Sequence, residues 1–278
     1  MRILSWNIQW GRGADGRVDL DRTIERIRAC GALDAICLQE VSRNWPGLKG
    51  SDGQLDGPAR LAAAFPDHLP IFAPGLEQGD GQGGLRAFGN LMLLAGQPGS
   101  VFRRLLPAPV DPQERSLQRT CLEVVVPFRG HEVRLMTTHL EYYSVVQRQA
   151  QIEALRQIQL DAHAEAAQAR SGRRESLFGA PPRPTAALVC GDFNFAPGSG
   201  DYAAMGRDAV WVDAWRRLHG DRTHAPTVGL HGAEWPDHPY CCDFAWVSPA
   251  LADELRSIEV LADTAASDHQ PVLVELRS

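Results

Sequence analysis

Hydrophobic positions divide the first forty residues of the chain into three elements. Residues 1–6 (Met-Arg-Ile-Leu-Ser-Trp) and 35–39 (Ala-Ile-Cys-Leu-Gln) are short apolar runs typical of strands. Between them, from about residue 19 to residue 30, apolar residues recur at spacings of four and three, which is the stripe of a helix that packs on a sheet. The pattern therefore predicts that the chain opens with a βαβ unit.

Further apolar runs predict seven more strands, at residues 91–94, 122–126, 133–138, 186–190, 244–247, 258–261 and 272–276. The longest helix candidate covers about residues 145–169, and residues 58–65 give a short one. Residues 44–89 are rich in Gly, Pro and Asp and otherwise read as an insertion of loops, and residues 171–184 read as a loop. Because helices are interspersed among more numerous strands, we expect a layered α/β fold in a single domain, residues 1–278.

Composition adds three expectations. The longest apolar stretches are far shorter than the roughly 18 residues of a membrane-spanning helix, so no transmembrane helix is expected. Polar residues soon after Met1 interrupt any run like a secretory signal, which predicts a cytoplasmic protein. Six cysteines without Cys-x-x-Cys spacing favour reduced core thiols over zinc binding or disulfides.

The charge balance argues against a surface built to hold long polyanions. The formal net charge is −6, so nothing global indicates tight nonspecific binding of duplex nucleic acid, which depends mainly on Lys and Arg. Arg103, Arg104, Arg115 and Arg119 lie in one short segment and could form a local basic patch. Scattered, solvated arginines are the favoured interpretation for all of them except Arg119.

Polar side chains follow several predicted strands at the point where each strand ends. Asn7 follows the first strand, Glu40 the second, His139 a later one, and Asp192 with Asn194 the run Leu-Val-Cys-Gly. A strand end at the rim of a sheet is exposed yet rigid, so several chain segments can converge there on one crevice. Each residue alone also has an ordinary explanation, because Asn and Asp are common in turns and a lone Glu is usually solvated.

The order of these residues, with the short motifs around them, resembles the endonuclease/exonuclease/phosphatase superfamily. The motifs are Ser5-Trp6-Asn7-Ile8, Leu38-Gln39-Glu40-Val41, Gly89-Asn90-Leu91-Met92, Thr138-His139-Leu140, Gly191-Asp192-Phe193-Asn194, Asp243-Phe244-Ala245-Trp246-Val247 and Ser267-Asp268-His269-Gln270-Pro271-Val272. Gly-Asp-x-Asn followed far downstream by Ser-Asp-His-x-Pro-Val is highly specific, whereas Thr-His-Leu alone is weak. Arg148 and Gln151 also agree with an Arg-x-x-Gln pattern seen in many members.

The resemblance implies a four-layer α/β sandwich, with two packed mixed β-sheets flanked by helices, and metal-dependent phosphoester hydrolysis. Glu40 would be the principal ligand of Mg²⁺ or Mn²⁺, with Asn7 and Asp268 nearby, an oxygen set that suits a hard cation. Asp192 would deprotonate the attacking water, and Asn194 would hold the scissile phosphate.

The resemblance assigns roles to five further residues. His269 would donate to a nonbridging phosphate oxygen while Asp243 fixes its tautomer. His139 would stabilise the phosphate or the leaving oxygen. Asn90 would brace Asp192 or the metal shell, and Arg119 would face the phosphate.

Histidines and tryptophans outside these motifs receive simpler interpretations. His219, His224, His231 and His238 are spaced too irregularly for a tetrahedral template, so surface or substrate-loop histidines are favoured over a second metal site. The isolated tryptophans could stack on a base, but core packing is favoured for each; they are Trp45, Trp211, Trp215 and Trp235.

The substrate remains open among three hypotheses. The first is a nuclease or phosphodiesterase acting on nucleic acid, the second a lipid or inositol-phosphate phosphoesterase, and the third a non-catalytic binding module on the same fold. Val-Ser follows Glu40 where the family's DNA-repair endonucleases usually show Thr-Lys, which weakens an abasic-site assignment. We expect a monomer.

Overall fold

The computed structural model describes residues 1–167 and 183–277, which form two six-stranded β-sheets packed face to face. The first sheet has the order β11-β12-β1-β2-β4-β3 and is formed by β1 (Arg2–Asn7), β2 (Ala35–Arg43), β3 (His68–Gly79), β4 (Leu85–Ala95), β11 (Leu255–Val260) and β12 (Val272–Leu276). The second has the order β5-β6-β7-β8-β10-β9 and is formed by β5 (Ser100–Leu105), β6 (Thr120–Phe128), β7 (His131–His139), β8 (Ala187–Asp192), β9 (Val212–Asp213) and β10 (Asp243–Val247). In each sheet one strand pair is parallel, β1 with β2 and β7 with β8, so both sheets are mixed.

Helices cover the outer faces of both sheets. They are α1 (Leu20–Ala29), α2 (Gly57–Ala64), α3 (Val145–Ala166), α4 (Gly200–Met205), α5 (Ala214–His219) and α6 (Pro249–Ala252). The two longest helices begin at side-chain caps: Asp19 accepts from the backbone N–H of Asp21, and Ser144 accepts from that of Gln147. No helix of the described ranges is long and apolar enough to cross a membrane.

Alternation along the strands divides the core into three layers. In β1, Ile3 belongs to the cluster between the two sheets, whereas its neighbour Leu4 packs outward with Ile24 of α1. On the other side, Ile152 and Leu155 of α3 pack on the outer face of the second sheet. Because these central strands are covered on both faces, they read in the sequence as continuous apolar runs. The arrangement confirms the predicted four-layer α/β sandwich.

The prediction that residues 44–89 are mainly loops is wrong, because β3 and the first part of β4 lie within them. β3 is an edge strand, contains Pro70 and Pro74, and has mostly exposed or half-buried residues, so it lacks the apolar run of a central strand. The outer strand β5, largely exposed at the opposite edge, was missed for the same reason. The loop predicted at 171–184 falls, except for its last two residues, outside the part of the chain described here, as do residues 168–169 of the predicted long helix. The extent of the single domain stays a prediction.

All six cysteines are free thiols, and five of them are buried. Cys37 and Cys190 lie in the central core layer, where the hydrogen bond between them and their burial raise the pKa of the Cys37 thiol well above its usual value. These thiols agree with the predicted role of cysteine as a small apolar core residue.

We expect Gly191→Ala to lower the free energy of unfolding by at least about 2 kcal/mol, as measured by urea denaturation. Gly191 has a φ of +146°, and an added Cβ would lie 1.9 Å from the carbonyl oxygen of Thr138 on the neighbouring strand. Gly200→Ala is the matched control, since a Cβ there meets no atom within 4 Å. Equal stabilities of the two variants would contradict this explanation.

Candidate active site

Strand register brings three polar side chains together at one end of the second sheet. His139, the last residue of β7, pairs with Asp192, the last residue of β8. Asp192 in turn pairs with Asp243, the first residue of the antiparallel strand β10. Neighbouring positions in register point to the same face of a sheet, so these three residues form one row. The row faces the end of β1, where Asn7 lies.

A β-bulge places Glu40 toward this row. The pairing of β2 with β4 shifts register between Leu38 and Val41, and Glu40 has a φ of +56°. The preceding residue, Gln39, consequently points between the sheets and donates to Thr137 Oγ1 at 2.9 Å. Strict alternation would place Glu40 on the outer face with Leu38 and turn Val41 inward, whereas Leu38 and Val41 both pack in the outer layer with Ile24.

The amide of Asn7 joins two carboxylates. Its Nδ2 donates to Asp192 Oδ2 at 3.0 Å and to Glu40 Oε1 at 3.2 Å, and the residue is completely buried. A third carboxylate, that of Asp268, accepts from Gln9 Nε2 at 2.5 Å and from Ser267 Oγ at 3.2 Å. The structure therefore brings together all three residues predicted to bind metal.

Burial, together with repulsion between neighbouring carboxylates, raises the pKa of all three of these acids. Burial and the nearby Asp268 raise the pKa of Glu40 to about 7. Burial also raises the pKa of Asp192 to about 6, against the opposing effect of His269. The pKa of Asp268 is raised for the same reason, burial. The site therefore holds more acidic oxygens than its own cations compensate.

His269 lies between two carboxylates. Its Nδ1 is 2.9 Å from Asp243 Oδ2, and its Nε2 is 3.6 Å from Asp192 Oδ2. Burial alone lowers the pKa of His269, but Asp243 and Asp192 outweigh it and hold that pKa well above its usual value. The ring is thereby fixed with Nδ1 donating to Asp243 and Nε2 directed at the site.

His139 has the opposite electrostatic environment. Its Nε2 lies 3.4 Å from Asp192 Oδ2, yet burial and the nearby Arg119 hold its pKa well below the usual value. Arg119 is buried and donates from Nε to Glu141 Oε2 at 3.1 Å. The two histidines of the site therefore differ in protonation, with His139 neutral and His269 cationic.

The motif Arg148-x-x-Gln151 fixes the segment that follows His139. Gln151 Oε1 accepts from the backbone N–H of Glu141 at 2.8 Å, and Arg148 Nη1 donates to the carbonyl oxygens of Glu141 and Tyr142. Glu141, which the sequence analysis missed, orients Arg119 and accepts three backbone N–H groups. Helix α3 thus supports the loop that carries part of the site.

The two remaining asparagines occupy different positions. Asn194 donates one amide proton to the carbonyl oxygen of Leu140 at 2.9 Å, and the residue lines the cavity. Asn90 donates to the carbonyl oxygen of Thr120 at 3.0 Å instead of to Asp192. Its side chain lies beside Glu40 on a small adjoining cavity.

Two sets of donors in this site could hold a metal ion. Asn7, Glu40 and Asp268 offer oxygen atoms, whereas Asp192, Cys242 and His269 offer mixed donors within 4.8 Å of one another. Burial and the adjacent Asp243 raise the pKa of the Cys242 thiol well above its usual value, which disfavours the thiolate that a soft metal prefers. The oxygen set therefore suits a hard cation such as Mg²⁺, and its uncompensated acidic groups fit one.

The cavity at this site has a volume of about 290 Å³ and an aromatic lining that the sequence analysis missed. Its aromatic residues are Trp10, Tyr142, Tyr143, Trp235 and Tyr240. Core packing was correct for Trp211, which is 1% exposed, and wrong for Trp235, which is 56% exposed. The adjacent pair Tyr142-Tyr143, just after the His139 motif, is the one local signal that could have revealed this lining.

The histidine-rich segment contains one further correction. His224 is buried and lies 2.6 Å from Asp213 Oδ2, with the Trp215 ring stacked on it, so it is neither a surface nor a substrate-loop residue. His231 and His238 are exposed, as predicted. Of the grouped arginines, Arg104 pairs with Glu123, and Arg115 lies over the Tyr143 ring at 4.0 Å.

A two-sheet α/β sandwich whose strand ends enclose an acidic, histidine-containing cavity is the architecture of the endonuclease/exonuclease/phosphatase fold. The sequence profile of the Endonuclease/Exonuclease/phosphatase family matches residues 4–269, and the chain belongs to this family. No curated protein matches the chain significantly in sequence. The family membership confirms the resemblance found in the motifs.

Solved structures share the fold at low sequence identity. An endonuclease/exonuclease/phosphatase from Beutenbergia cavernae is 24% identical with a TM-score of 0.71, covering 100% of this chain and 71% of the other. A mannosyl-6-phosphatase from Bacteroides thetaiotaomicron is 17% identical with a TM-score of 0.66, covering all of both chains. D. rerio TDP2 complexed with a single-strand DNA product is 18% identical with a TM-score of 0.63, covering 100% and 99%.

Proposed function

We propose that this phosphoesterase is a divalent-metal-dependent hydrolase whose substrate is a phosphodiester in single-stranded nucleic acid. One observation carries the proposal: side chains from five separate segments meet at one cavity, namely Asn7, Glu40, His139, Asp192 and the pair Asp268-His269. Phosphodiester hydrolysis requires charge neutralisation, a base for water and donors for the nonbridging oxygens, and this set supplies all three.

Glu40, Asp268 and Asn7 would hold Mg²⁺ or Mn²⁺, whose oxygen preference they match. When bound, such a cation neutralises phosphate charge and favours deprotonation of water. The fit rests on the excess of buried acidic oxygens, since burial raises the pKa of Glu40 to about 7 and also raises that of Asp268.

The side chains of this chain would divide the proton transfers among them. Asp192 is held by the N–H of Asn194 at Oδ1 and by Asn7 at Oδ2, a rigid orientation for accepting a proton from the attacking water. His269, kept cationic by Asp243, would donate from Nε2 to a nonbridging oxygen. Neutral His139 would hydrogen-bond the phosphate or the leaving oxygen, Asn194 would hold the phosphate, and Arg119 would add positive charge.

The aromatic cavity favours a nucleic-acid substrate. Unstacked bases bind aromatic side chains, and this mode of binding does not require a strongly basic protein. A net charge of −6 is compatible with a short single strand more readily than with tight duplex binding. A DNA product bound to D. rerio TDP2, a protein of the same fold, agrees with this choice. Cytoplasmic location and a monomeric state stay predictions.

We expect chelation by EDTA to abolish hydrolysis and excess Mg²⁺ to restore it, because the carboxylates alone cannot neutralise a phosphodiester. The measurement is initial rate on single-stranded DNA, RNA, bis-p-nitrophenyl phosphate and phosphoinositides. Rates insensitive to EDTA would contradict metal dependence. Turnover of phosphoinositides without nucleic acid would favour the lipid hypothesis, and absence of turnover on every substrate would favour the binding module.

A further inference from the structure

Trp235 presents an unusually accessible ring to the cavity. It is 56% exposed, although it lines the same cavity as Asp192 and His269. Within residues 1–167 and 183–277 no aromatic ring packs on its indole, in contrast to Trp10, which pairs with Phe88. An exposed tryptophan offers a flat apolar face, and a ligand that covers this face removes it from water, which stabilises the complex.

Ion pairs hold the residue next to Trp235 in place. Glu234 Oε2 lies 2.9 Å from Arg12 Nη2 and 2.6 Å from Lys49 Nζ. Arg12 is buried and also donates to Gln9 Oε1, and Gln9 in turn donates to Asp268 at the site. The Trp235 segment is therefore linked through Glu234 to the loops that follow β1 and β2.

Several aromatic and apolar side chains line the cavity together with Trp235. They include Val228, Pro236 and Tyr240, and the Trp235 indole interacts with the Tyr142 hydroxyl. A base presents a flat apolar face that such a lining can cover. The cavity, about 290 Å³, lies near the lower limit of the roughly 300–1,000 Å³ usual for ligand sites, which suits one nucleotide.

We propose that Trp235 is a specificity-determining residue that stacks on one nucleobase of a single-stranded substrate, next to the scissile phosphate. The inference rests on the proposed function, because it assigns the base beside the same phosphate. The enzyme thereby selects an unpaired nucleotide, since a base within a duplex has no free face to offer.

The kinetic test compares an oligothymidylate with an oligomer of equal length that has abasic tetrahydrofuran units around the cleaved bond. We expect Trp235→Ala to raise KM for the oligothymidylate by roughly tenfold or more, the effect of losing one base–aromatic stack. KM for the abasic oligomer should stay within about twofold of the parent, and Trp235→Phe should restore most of the loss. An equal rise on both oligomers, or no rise on either, would overturn the proposal.

A binding test needs no turnover. In EDTA, thymidine oligonucleotide should quench the tryptophan fluorescence of a Trp10→Phe background, which leaves Trp235 as the tryptophan of the described cavity lining, and adding Trp235→Phe should abolish that quenching. Trp45→Phe is the matched control and should keep it, because Trp45 packs under Arg86 away from the cavity lining. Base stacking would be contradicted if the quenching survived in Trp235→Phe. It would also be contradicted if mannose 6-phosphate quenched the fluorescence and the oligonucleotide did not. If no hydrolysis is detected but the quenching still depends on Trp235, the proposed function alone would be wrong.

Discussion

Asparagine in place of Asp192 is expected to lower kcat by roughly 100- to 10,000-fold, the contribution of a positioned general base. The amide has nearly the shape of the carboxylate, so its oxygen can still accept from the N–H of Asn194. It cannot take a proton from water. Burial raises the pKa of Asp192 to about 6 against the opposing effect of His269, so the charged carboxylate is unfavourable on balance in the folded protein and the neutral amide should not lower stability. The measurements are kcat on single-stranded DNA and thermal unfolding.

Asp161→Asn provides the matched control for that substitution. Asp161 is exposed on α3 and accepts from Gln157 Nε2 at 2.7 Å, far from the cavity lining. It should keep the kcat of the parent. Parental kcat in Asp192→Asn, with unfolding also unchanged, would show that Asp192 is not the base.

The parts of the site that the sequence predicted are those fixed by local pattern. Asn7, His139 and Asp192 end strands that are apolar over several consecutive residues, so their positions at the rim follow from where those strands stop. Glu40 was placed correctly in the chain, but the bulge that turns it toward the others depends on pairing with β4. Periodicity within one strand carries no information about that pairing.

The parts that the sequence did not predict depend on contacts between distant segments. Arg12 and Glu234 are 222 positions apart, and their ion pair links the Trp235 segment to the loop after β1. Core packing was a reasonable prediction for any isolated tryptophan, and no pattern near Trp235 in the sequence indicates that its ring lines the cavity. The prediction for His224 was wrong in the opposite sense, because Asp213 and Trp215 bury this side chain although its segment reads as a loop.

The expectation that Asn90 braces Asp192 or the metal shell stays a prediction, and the observed contact of its amide shows a different limit. The residue lies at the rim as expected, on β4 opposite the bulge of β2, but its amide donates to Thr120 of the other sheet. A motif identifies which side chain is present and roughly where, whereas the partner of an amide depends on side-chain geometry at close range. Asn90 therefore connects the two sheets directly beneath Glu40 and Arg119.

Alanine in place of Glu40 is expected to raise the Mg²⁺ concentration for half-maximal activity by roughly 100-fold or more, beyond the 10- to 100-fold cost of losing an outer-shell partner. Asn7 joins the Glu40 carboxylate to Asp192, and burial together with Asp268 raises the pKa of Glu40 to about 7. The charged carboxylate is therefore disfavoured, and a bound cation would stabilise it. The measurement is the rate on single-stranded DNA across a Mg²⁺ titration.

A second readout separates loss of a ligand from general damage to the site. A cation that binds the folded protein raises its melting temperature, and this Mg²⁺-dependent rise should be lost in Glu40→Ala. Glu25→Ala, on the exposed face of α1, should keep both the parental titration and the parental rise. If Glu40→Ala instead kept the parental Mg²⁺ dependence in both measurements, Glu40 would not be a ligand. A cation at the site would then have to bind through Asp268 and Asp192, without Glu40.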